Sequence, residues 1–201
     1  MSAAETLTRQ VNAVGSGVLS HALLGFSGVL PEAPLVFPGS FNPLHRGHLG
    51  LMEAAEELTG KRCFFELSLE NVDKPRPEPD AVTRRLAALL EVRPVLLTRA
   101  ATFREKATLF PGACFLLGAD TAQRLLSPAY HADLPELLSF FRSCGNRFVV
   151  GGRLCSGRFI RLKDLPVPAP FRSLFTGIEP SRFREDISSS QLRSGKDVFP
   201  E

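Results

Sequence analysis

Short apolar runs alternate with helical patterns along the chain from about residue 34 onward. Apolar runs bounded by turn residues predict buried strands, and apolar positions spaced three and four residues apart predict amphipathic helices. The predicted strands cover residues 34–37, 62–69, 94–98, 114–118 and 147–150. The predicted helices cover residues 49–58, with Gly60 as the cap, and residues 81–90 and 134–141. Further short strands are expected between residues 151 and 178.

This order predicts an α/β fold with a Rossmann-like, mainly parallel sheet and helices on both faces. The main domain is expected to span residues 35–201. Residues 1–34 are expected to form an N-terminal helical extension, a short helix or two, broken at residues 15–17 and near Gly28. Sheets of this kind bind ligands at the carboxyl ends of their strands, so the polar residues that follow the strands are the candidates for a site.

Composition and charge narrow the class of protein without identifying a substrate. Of the 201 residues, 44% are hydrophobic and 22% are charged, and the formal net charge is +3. No stripe of Lys and Arg accompanies that charge, so no nucleic-acid partner is expected. No apolar stretch reaches the roughly 18–20 residues of a membrane span, and the first residues lack a signal-peptide core. Four scattered cysteines favour a reduced protein, and we expect a cytoplasmic one without a membrane partner.

The densest polar motif is GSFNPLHRGH, which spans residues 39–48 between a predicted strand and a predicted helix. Gly39 permits a sharp turn and the close approach of a phosphate, and Gly47 permits close contact at the helix start. His45 and His48 are three residues apart and project from neighbouring positions beside backbone N–H groups that favour an anion. The same pair could contribute to a zinc site, but no Cys, Asp or Glu lies nearby in sequence to complete one.

This motif resembles the GxFxPxHxGH signature of the nucleotidyltransferase superfamily. With Ser40 and Asn42, the form GSFNPxHxGH is similar to the nicotinamide-mononucleotide adenylyltransferases, whereas pantetheine-phosphate adenylyltransferases typically read GTFDPxTxGH and cytidylyltransferases GxFDxxHxGH. The resemblance implies the nucleotidyltransferase fold and catalytic roles for His45 and His48. It also implies that the bound nucleotide contacts Gly39, Ser40, Phe41 and Gly47.

A second motif, ISSSQLR, spans residues 187–193. Ser188 or Ser189 could cap a helix there, and Arg193 would return to the same face one turn later. From the residues alone, a surface helix with a serine cap is about equally consistent. The motif is similar to the ISSTxIR signature of the same adenylyltransferases. This resemblance implies that both serines and Arg193 bind the triphosphate and that Arg193 takes part in catalysis.

Two weaker candidate sites lie between these motifs. Gly118 ends the predicted strand at residues 114–118 and Asp120 follows it, where the carboxylate could accept hydrogen bonds from ribose hydroxyls or cap the next helix. The resemblance implies that this GxD sequence contacts the nucleotide. Lys74 follows the predicted strand at residues 62–69 and could reach a substrate phosphate as a point charge. The family has a polar loop at this place, often with a lysine.

The chain has no tryptophan, although these adenylyltransferases commonly stack one on the nicotinamide ring. Phe103, Phe110 or Tyr130 could stack there instead. The leading hypothesis is AMP transfer from ATP to nicotinamide or nicotinate mononucleotide, with Mg²⁺ carried on the ATP phosphates. Nucleotidyl transfer from ATP or CTP to another phosphorylated small molecule and a catalytically retired nucleotide-binding module are the alternatives. The sequence leaves the formation of a homo-oligomer open.

Overall fold

The computed structural model describes residues 3–72, 78–155 and 157–185. The helices are α1 (Ala3–Gly15), α2 (Arg46–Thr59), α3 (Pro79–Leu90), α4 (Phe103–Leu109), α5 (Ala119–Leu125) and α6 (Leu134–Ser143). The strands are β1 (His21–Leu24), β2 (Leu35–Pro38), β3 (Cys63–Ser68), β4 (Val95–Thr98), β5 (Cys114–Gly118), β6 (Arg147–Gly151), β7 (Arg153–Cys155), β8 (Arg158–Ile160) and β9 (Phe175–Ile178). No helix in these ranges combines the length and the apolar character needed to cross a membrane.

Seven strands form one sheet in the order β1-β4-β3-β2-β5-β6-β9, and β7 and β8 form a separate hairpin. Strand β2 is central and pairs in parallel with β3 on one side and with β5 on the other. Of the strands described, β1 alone runs antiparallel in this sheet, at the edge beside β4. The chain builds the β3 side first and then the β5 side, so the topological switch point lies between β2 and β5. Ligands bind at such points.

The sheet is covered by helices on both faces, as predicted. In β3, Phe65 and Leu67 pack in the layer that contains α1, α2 and α3, whereas Phe64 packs in the layer that contains α4, α5 and α6. Burying a phenylalanine side chain contributes about 1.5–3 kcal/mol relative to leaving it in water. Because both faces are buried, the inner strands β2, β4, β5 and β6 are nearly continuous apolar runs instead of alternating ones. The two layers hold the carboxyl ends of β2, β3, β5 and β6 in place around the switch point.

The structure confirms the predicted strands of the main sheet and the three predicted helices, and it corrects the interpretation of the N-terminal region. The helical prediction is right for Ala3–Gly15 but wrong for His21–Leu24, which forms β1. Burial in β1 alternates, with Ala22 and Leu24 buried, and this period of two is that of a strand. The strand pairs with β4, so residues before 34 contribute an edge to the sheet as well as a helix.

Helix α4 has no counterpart among the predicted elements. It is only seven residues long, too short to display a helical period. Its start is nevertheless marked by a capping box, in which the Glu105 N–H donates to Thr102 Oγ1 at 3.2 Å and the Thr102 N–H donates to Glu105 Oε2 at 2.8 Å. A Thr-x-x-Glu sequence is a recognised start signal, so the sequence does contain the information for this helix.

The cysteines behave as expected for reduced thiols. All four are free, and Cys63 and Cys114 are buried in the sheet. Burial raises the pKa of both thiols, because a thiolate would lose its hydration there. These two residues therefore pack as small apolar side chains.

Candidate active site

The turn between β2 and α2 carries the GSFNPLHRGH motif. Phe41 has a φ of +43°, and its ring is only 3% exposed. The ring packs on Phe65, with the ring centroids 4.9 Å apart, and on His48, at 5.1 Å. A Cβ on Gly39 would lie 2.6 Å from this ring, so glycine is required there by the folding of the turn itself. Phe41 thus fixes the turn beneath the site.

His45 and His48 meet at the start of α2. His45 occupies the N-cap position with an extended backbone, and His48 is the third residue of the helix. Their rings stack, with centroids 3.8 Å apart and planes 28° from parallel. The His45 N–H donates to His48 Nδ1 at 3.3 Å. Because Nδ1 accepts, the hydrogen of a neutral His48 ring lies on Nε2, which can donate to a ligand.

Both imidazoles are neutral at physiological pH. Burial, followed by the positive charge of Arg153, lowers the pKa of His45 to about 4. Burial, followed by the charges of His45 and Arg153, lowers the pKa of His48 to about 3. Each neutral ring still offers one N–H donor, so the pair can hydrogen-bond phosphate oxygens without carrying a charge.

A cavity of about 370 Å³ opens above this turn, at the carboxyl ends of the parallel strands. Every predicted site residue that the structure describes lines this cavity. These residues are Gly39, Ser40, Phe41, His45, Gly47, His48, Gly118 and Asp120. Lys74, Ser188, Ser189 and Arg193 lie outside the described residues, and their roles stay predictions. Two separate sequence motifs, at residues 39–48 and at residues 118–120, therefore line one cavity.

One side of the cavity, which we call the β5–β6 flank, is formed by Gly118, Asp120, Thr121, Arg124, Gly152 and Arg153. Gly118 caps α5 and Ala119 begins it, so Asp120 is not the capping residue that the sequence allowed as an alternative. Asp120 Oδ1 lies 3.4 Å from Arg153 Nη1. This oxygen is buried and has no hydrogen-bond partner, and the same holds for Nδ1 and Nε2 of His45.

Buried polar atoms without partners are rare in folded proteins, because leaving one costs about 1–3 kcal/mol. Here three such atoms border the same cavity, on the histidine turn and on the β5–β6 flank. The imidazole N–H of His45 can donate, and the Asp120 oxygen can accept. The arrangement fits a ligand that carries phosphate oxygens beside hydroxyl groups.

Glu66, Ser68, Phe103 and Lys106 also line the cavity, and we call this group the β3–α4 flank. Within it, the Phe103 ring packs on β5 and β6, with ring centroids 5.7 Å from Phe115 and 6.3 Å from Phe148. Glu66 is the register partner of Pro38, the last residue of β2. Its carbonyl oxygen also accepts the Gly39 N–H at 3.0 Å. This flank is therefore joined directly to the histidine turn through the backbone.

The three aromatic residues proposed to replace a tryptophan lie in different places. Phe103 lines the cavity. Phe110 is buried and packs against His21, with the ring centroids 5.3 Å apart. Tyr130 does not line this cavity, and its ring lies 5.1 Å from the guanidinium carbon of Arg124. Of the three, Phe103 alone is placed to contact a ligand in the cavity.

Several residues of the cavity were not predicted from the sequence, chiefly Arg153, Arg124, Glu66 and Lys106. Arg153 had a usable signal, because it follows Gly151 and Gly152 directly after a predicted strand. Glu66 and Lys106 had none, because they come together only when β3 and α4 pack against each other. The zinc alternative finds no support, since no three His, Cys, Asp or Glu side chains within residues 3–72, 78–155 and 157–185 group as metal ligands.

The fold and the cavity define an α/β protein with a polar cavity at the switch point of a mainly parallel sheet. The family model described as cytidylyltransferase-like matches residues 36–195, and the chain belongs to this family. The predicted nucleotidyltransferase superfamily is thereby confirmed.

Among solved structures, the chain is similar to the nicotinic acid mononucleotide adenylyltransferase of Plasmodium falciparum complexed with NaAD. The two share 17% sequence identity, with a TM-score of 0.49, over 82% of this chain and 83% of that one. No curated protein matches the sequence.

Proposed function

We propose that this protein transfers AMP from ATP to the phosphate of nicotinamide or nicotinate mononucleotide and releases pyrophosphate. The observation that carries the proposal is the stacked His45–His48 pair, whose free donor positions border a cavity shared with Asp120 and Arg153. The GSFNPxHxGH form of the turn supports the pyridine-mononucleotide acceptor.

The reaction needs positioning and charge stabilisation more than proton transfer. An oxygen of the acceptor phosphate forms a bond to the α-phosphorus of ATP, and the bond between that phosphorus and the bridging oxygen to the β-phosphorus breaks. The electron pair leaves on pyrophosphate. A phosphate monoester is largely ionised at pH 7, because its second pKa is about 6, so no general base is required.

The chain's own residues would act as hydrogen-bond donors and fixed charges around the α-phosphate. His48 would donate from Nε2 to an oxygen of the α-phosphate, whose charge changes as the leaving bond breaks. His45 and Arg193 would hold the β- and γ-phosphates, and Ser40, Ser188 and Ser189 would orient their oxygens. Lys74 would add a point charge. The positive charge of Arg153 contributes to the lowered pKa of both histidines. The same charge would therefore also act on phosphates bound beside them.

Magnesium would be held by the ATP phosphates instead of a protein cage. The three carboxylates that line the cavity, Glu66, Asp120 and Glu185, each lie beside a basic side chain. The distances are 2.9 Å to Lys106, 3.4 Å to Arg153 and 3.1 Å to Arg46. Magnesium prefers phosphate and water oxygens in such sites, and when bound it would neutralise charge on the leaving pyrophosphate.

The two flanks would then receive the two nucleosides. Asp120 can accept hydrogen bonds from ribose hydroxyls, so we place the ATP nucleoside on the β5–β6 flank. We place the acceptor nucleoside beside the β3–α4 flank, where the Phe103 ring can stack on a pyridine ring.

Incubation with ATP, magnesium and a panel of phosphorylated acceptors, followed by measurement of pyrophosphate, tests this function. We expect release with a pyridine mononucleotide and none with pantetheine phosphate, choline phosphate or glycerol phosphate. Replacement of ATP by CTP should abolish it. Release with another acceptor alone would point to the wider nucleotidyl-transfer alternative, and nucleotide binding without release would point to the retired module.

A further inference from the structure

Three residues after β9, at positions 183–185, contact the histidine turn, the first turns of α2 and the β7–β8 hairpin, and the reaction described above assigns them no role. Strand β9 ends at Ile178, and the Phe183 N–H donates to the carbonyl oxygen of Glu179 at 3.2 Å, which closes a turn after the strand. Phe183 and Glu185 both line the cavity. We call residues 183–185 the anchor segment.

The first two residues of the anchor segment pack against different elements. Phe183 is buried, and a Cβ on Gly50 of α2 would lie 3.1 Å from its ring. Arg184 lies over the ring of Phe159 in β8, with its guanidinium carbon 4.8 Å from the ring centroid. The Phe159 ring in turn lies against Gly152, where a Cβ would be 2.5 Å from it. The segment is therefore held by α2 and, through Phe159, by the β5–β6 flank.

The third residue, Glu185, reaches the histidine turn. Its Oε2 accepts a hydrogen bond from Nε of Arg46 at 3.1 Å, and Arg46 is the first residue of α2, between the two histidines in sequence. The Arg46 and Glu185 side chains are 58% and 32% exposed. An ion pair as exposed as this one contributes little to folding stability, so its position calls for another reason.

The charge of Glu185 is unfavourable for the ligand that the cavity is proposed to bind. Glu185 lines the same cavity as the histidine pair, and a carboxylate repels the phosphates of ATP. In sequence, Glu185 comes two residues before the second motif at residues 187–193, which lies outside the described residues. The hydrogen bond from Arg46 thus holds the chain against the histidine turn immediately before that motif.

We propose that Arg46 and Glu185 are positioning residues, which fix the point where the chain enters the second motif relative to the histidine turn. The triphosphate would be held by both motifs at once, and a displacement of about 1 Å between groups that act together is costly. The pair therefore acts through the motif, and above all through Arg193. This inference rests on the proposed function for the role of Arg193 and deepens it.

Glu185→Met separates positioning from a simple effect of charge. If the carboxylate acted only through its field, its removal would tighten the binding of ATP, because the ligand is an anion. If the pair positions the second motif, loss of the hydrogen bond should weaken binding. We expect Kd for ATP with magnesium, measured by isothermal titration calorimetry without an acceptor, to rise about fivefold. An unchanged or lower Kd would overturn the proposal.

The matched control is Glu70→Met, the same change in the exposed pair with Arg99, which does not line this cavity and should leave Kd as it is. The reversed pair, Arg46→Glu with Glu185→Arg, should restore most of the affinity that Arg46→Glu loses alone. Melting temperatures should change little in all of these variants, because exposed ion pairs add little stability. Failure of the reversed pair to bind ATP better than Arg46→Glu would count against positioning.

A variant of Arg193 shows whether the pair acts through the second motif. Arg193→Ala should itself weaken the binding of ATP, and adding Glu185→Met to it should have little further effect, because effects of residues that act as a unit do not add. A full additional fivefold loss in the double variant, or wild-type affinity in Arg193→Ala, would overturn the proposal.

The outcome for this pair is distinguishable from the outcome for the reaction. Wild-type protein that binds ATP but releases no pyrophosphate with a pyridine mononucleotide would remove the proposed function, and the effect of Glu185→Met on Kd would still decide the positioning role. Release of pyrophosphate together with an unchanged Kd in Glu185→Met would remove the positioning role alone. Wild-type protein that does not bind ATP would remove both.

Discussion

The charged residues of the two flanks of the cavity differ in how deeply they are buried and how closely they are paired. On the β5–β6 flank, Asp120 and Arg153 are half-buried and loosely paired, and a carboxylate oxygen has no hydrogen-bond partner. On the β3–α4 flank, Glu66 and Lys106 are buried and tightly paired. The first arrangement leaves several polar atoms for a ligand to satisfy, which suits a polyphosphate and a ribose. In the second arrangement the two charges are engaged with each other.

The histidine turn between the flanks should give the largest loss of activity. His48→Ala removes the Nε2–H donor proposed for the α-phosphate, and the loss of one such donor lowers kcat by about 10²–10³-fold. We expect kcat for adenylyl transfer to fall by that factor. The far-ultraviolet circular dichroism spectrum of the variant should match that of the wild type. His131→Ala, outside the cavity, is the control. Near-normal turnover of folded His48→Ala protein would contradict the role proposed for His48 at the α-phosphate.

Arg153→Met tests the β5–β6 flank. Removing a charge-assisted hydrogen bond costs about 1.5–3 kcal/mol, so we expect KM for ATP to rise about 10–100-fold with little change in KM for the acceptor. The pKa values of His45 and His48 should rise at the same time, because the Arg153 charge lowers them. Steady-state kinetics and imidazole titration by NMR measure the two effects. Arg99→Met, in an exposed ion pair, is the control, and an unchanged KM for ATP would exclude Arg153 from the donor site.

The stability of the protein should fall as the pH is lowered from about 6.5. His45 and His48 have folded-state pKa values of about 4 and about 3, below the unfolded value of about 6.5. Between these values the unfolded state binds more protons than the folded state, so acid favours unfolding, by at most about 1.4 kcal/mol per pH unit for each imidazole.

Urea unfolding of the wild type and of a His45→Gln/His48→Gln variant at pH 7 and pH 5 measures this effect. The double variant should lose less stability between the two pH values. Equal losses in both proteins would mean that the histidines are not buried in their neutral form.

Thr102→Ala should give the smallest effect, on the β3–α4 flank. The substitution removes the capping hydrogen bond of α4, which carries Phe103 and Lys106, and loss of a cap costs about 0.5–2 kcal/mol. We expect a lower melting temperature, a rise of a few-fold in KM for the acceptor and an unchanged KM for ATP. Thr102→Ser, which keeps the hydroxyl, should restore both values. A change confined to KM for ATP would place the acceptor on the other flank.

Much of this architecture could be predicted from the sequence because its signals are local. The buried strands are continuous apolar runs, and the histidine turn is a contiguous motif. The edge strand His21–Leu24 was mistaken for a helix because four residues in a glycine-containing region show too little of either period. Glu66 and Lys106 were missed for a different reason. They are forty residues apart, and only the packing of α4 against the end of β3 makes them a pair.

The central claim is that this cavity moves an adenylyl group onto a mononucleotide phosphate. The most direct measurement follows ATP labelled at the α-phosphorus with nicotinamide mononucleotide as the acceptor, and separates the products by chromatography. We predict that the label appears in a dinucleotide in equal amount with unlabelled pyrophosphate, and that His48→Ala forms neither. Label that stays in ATP, or appears only in AMP or ADP, would contradict the account.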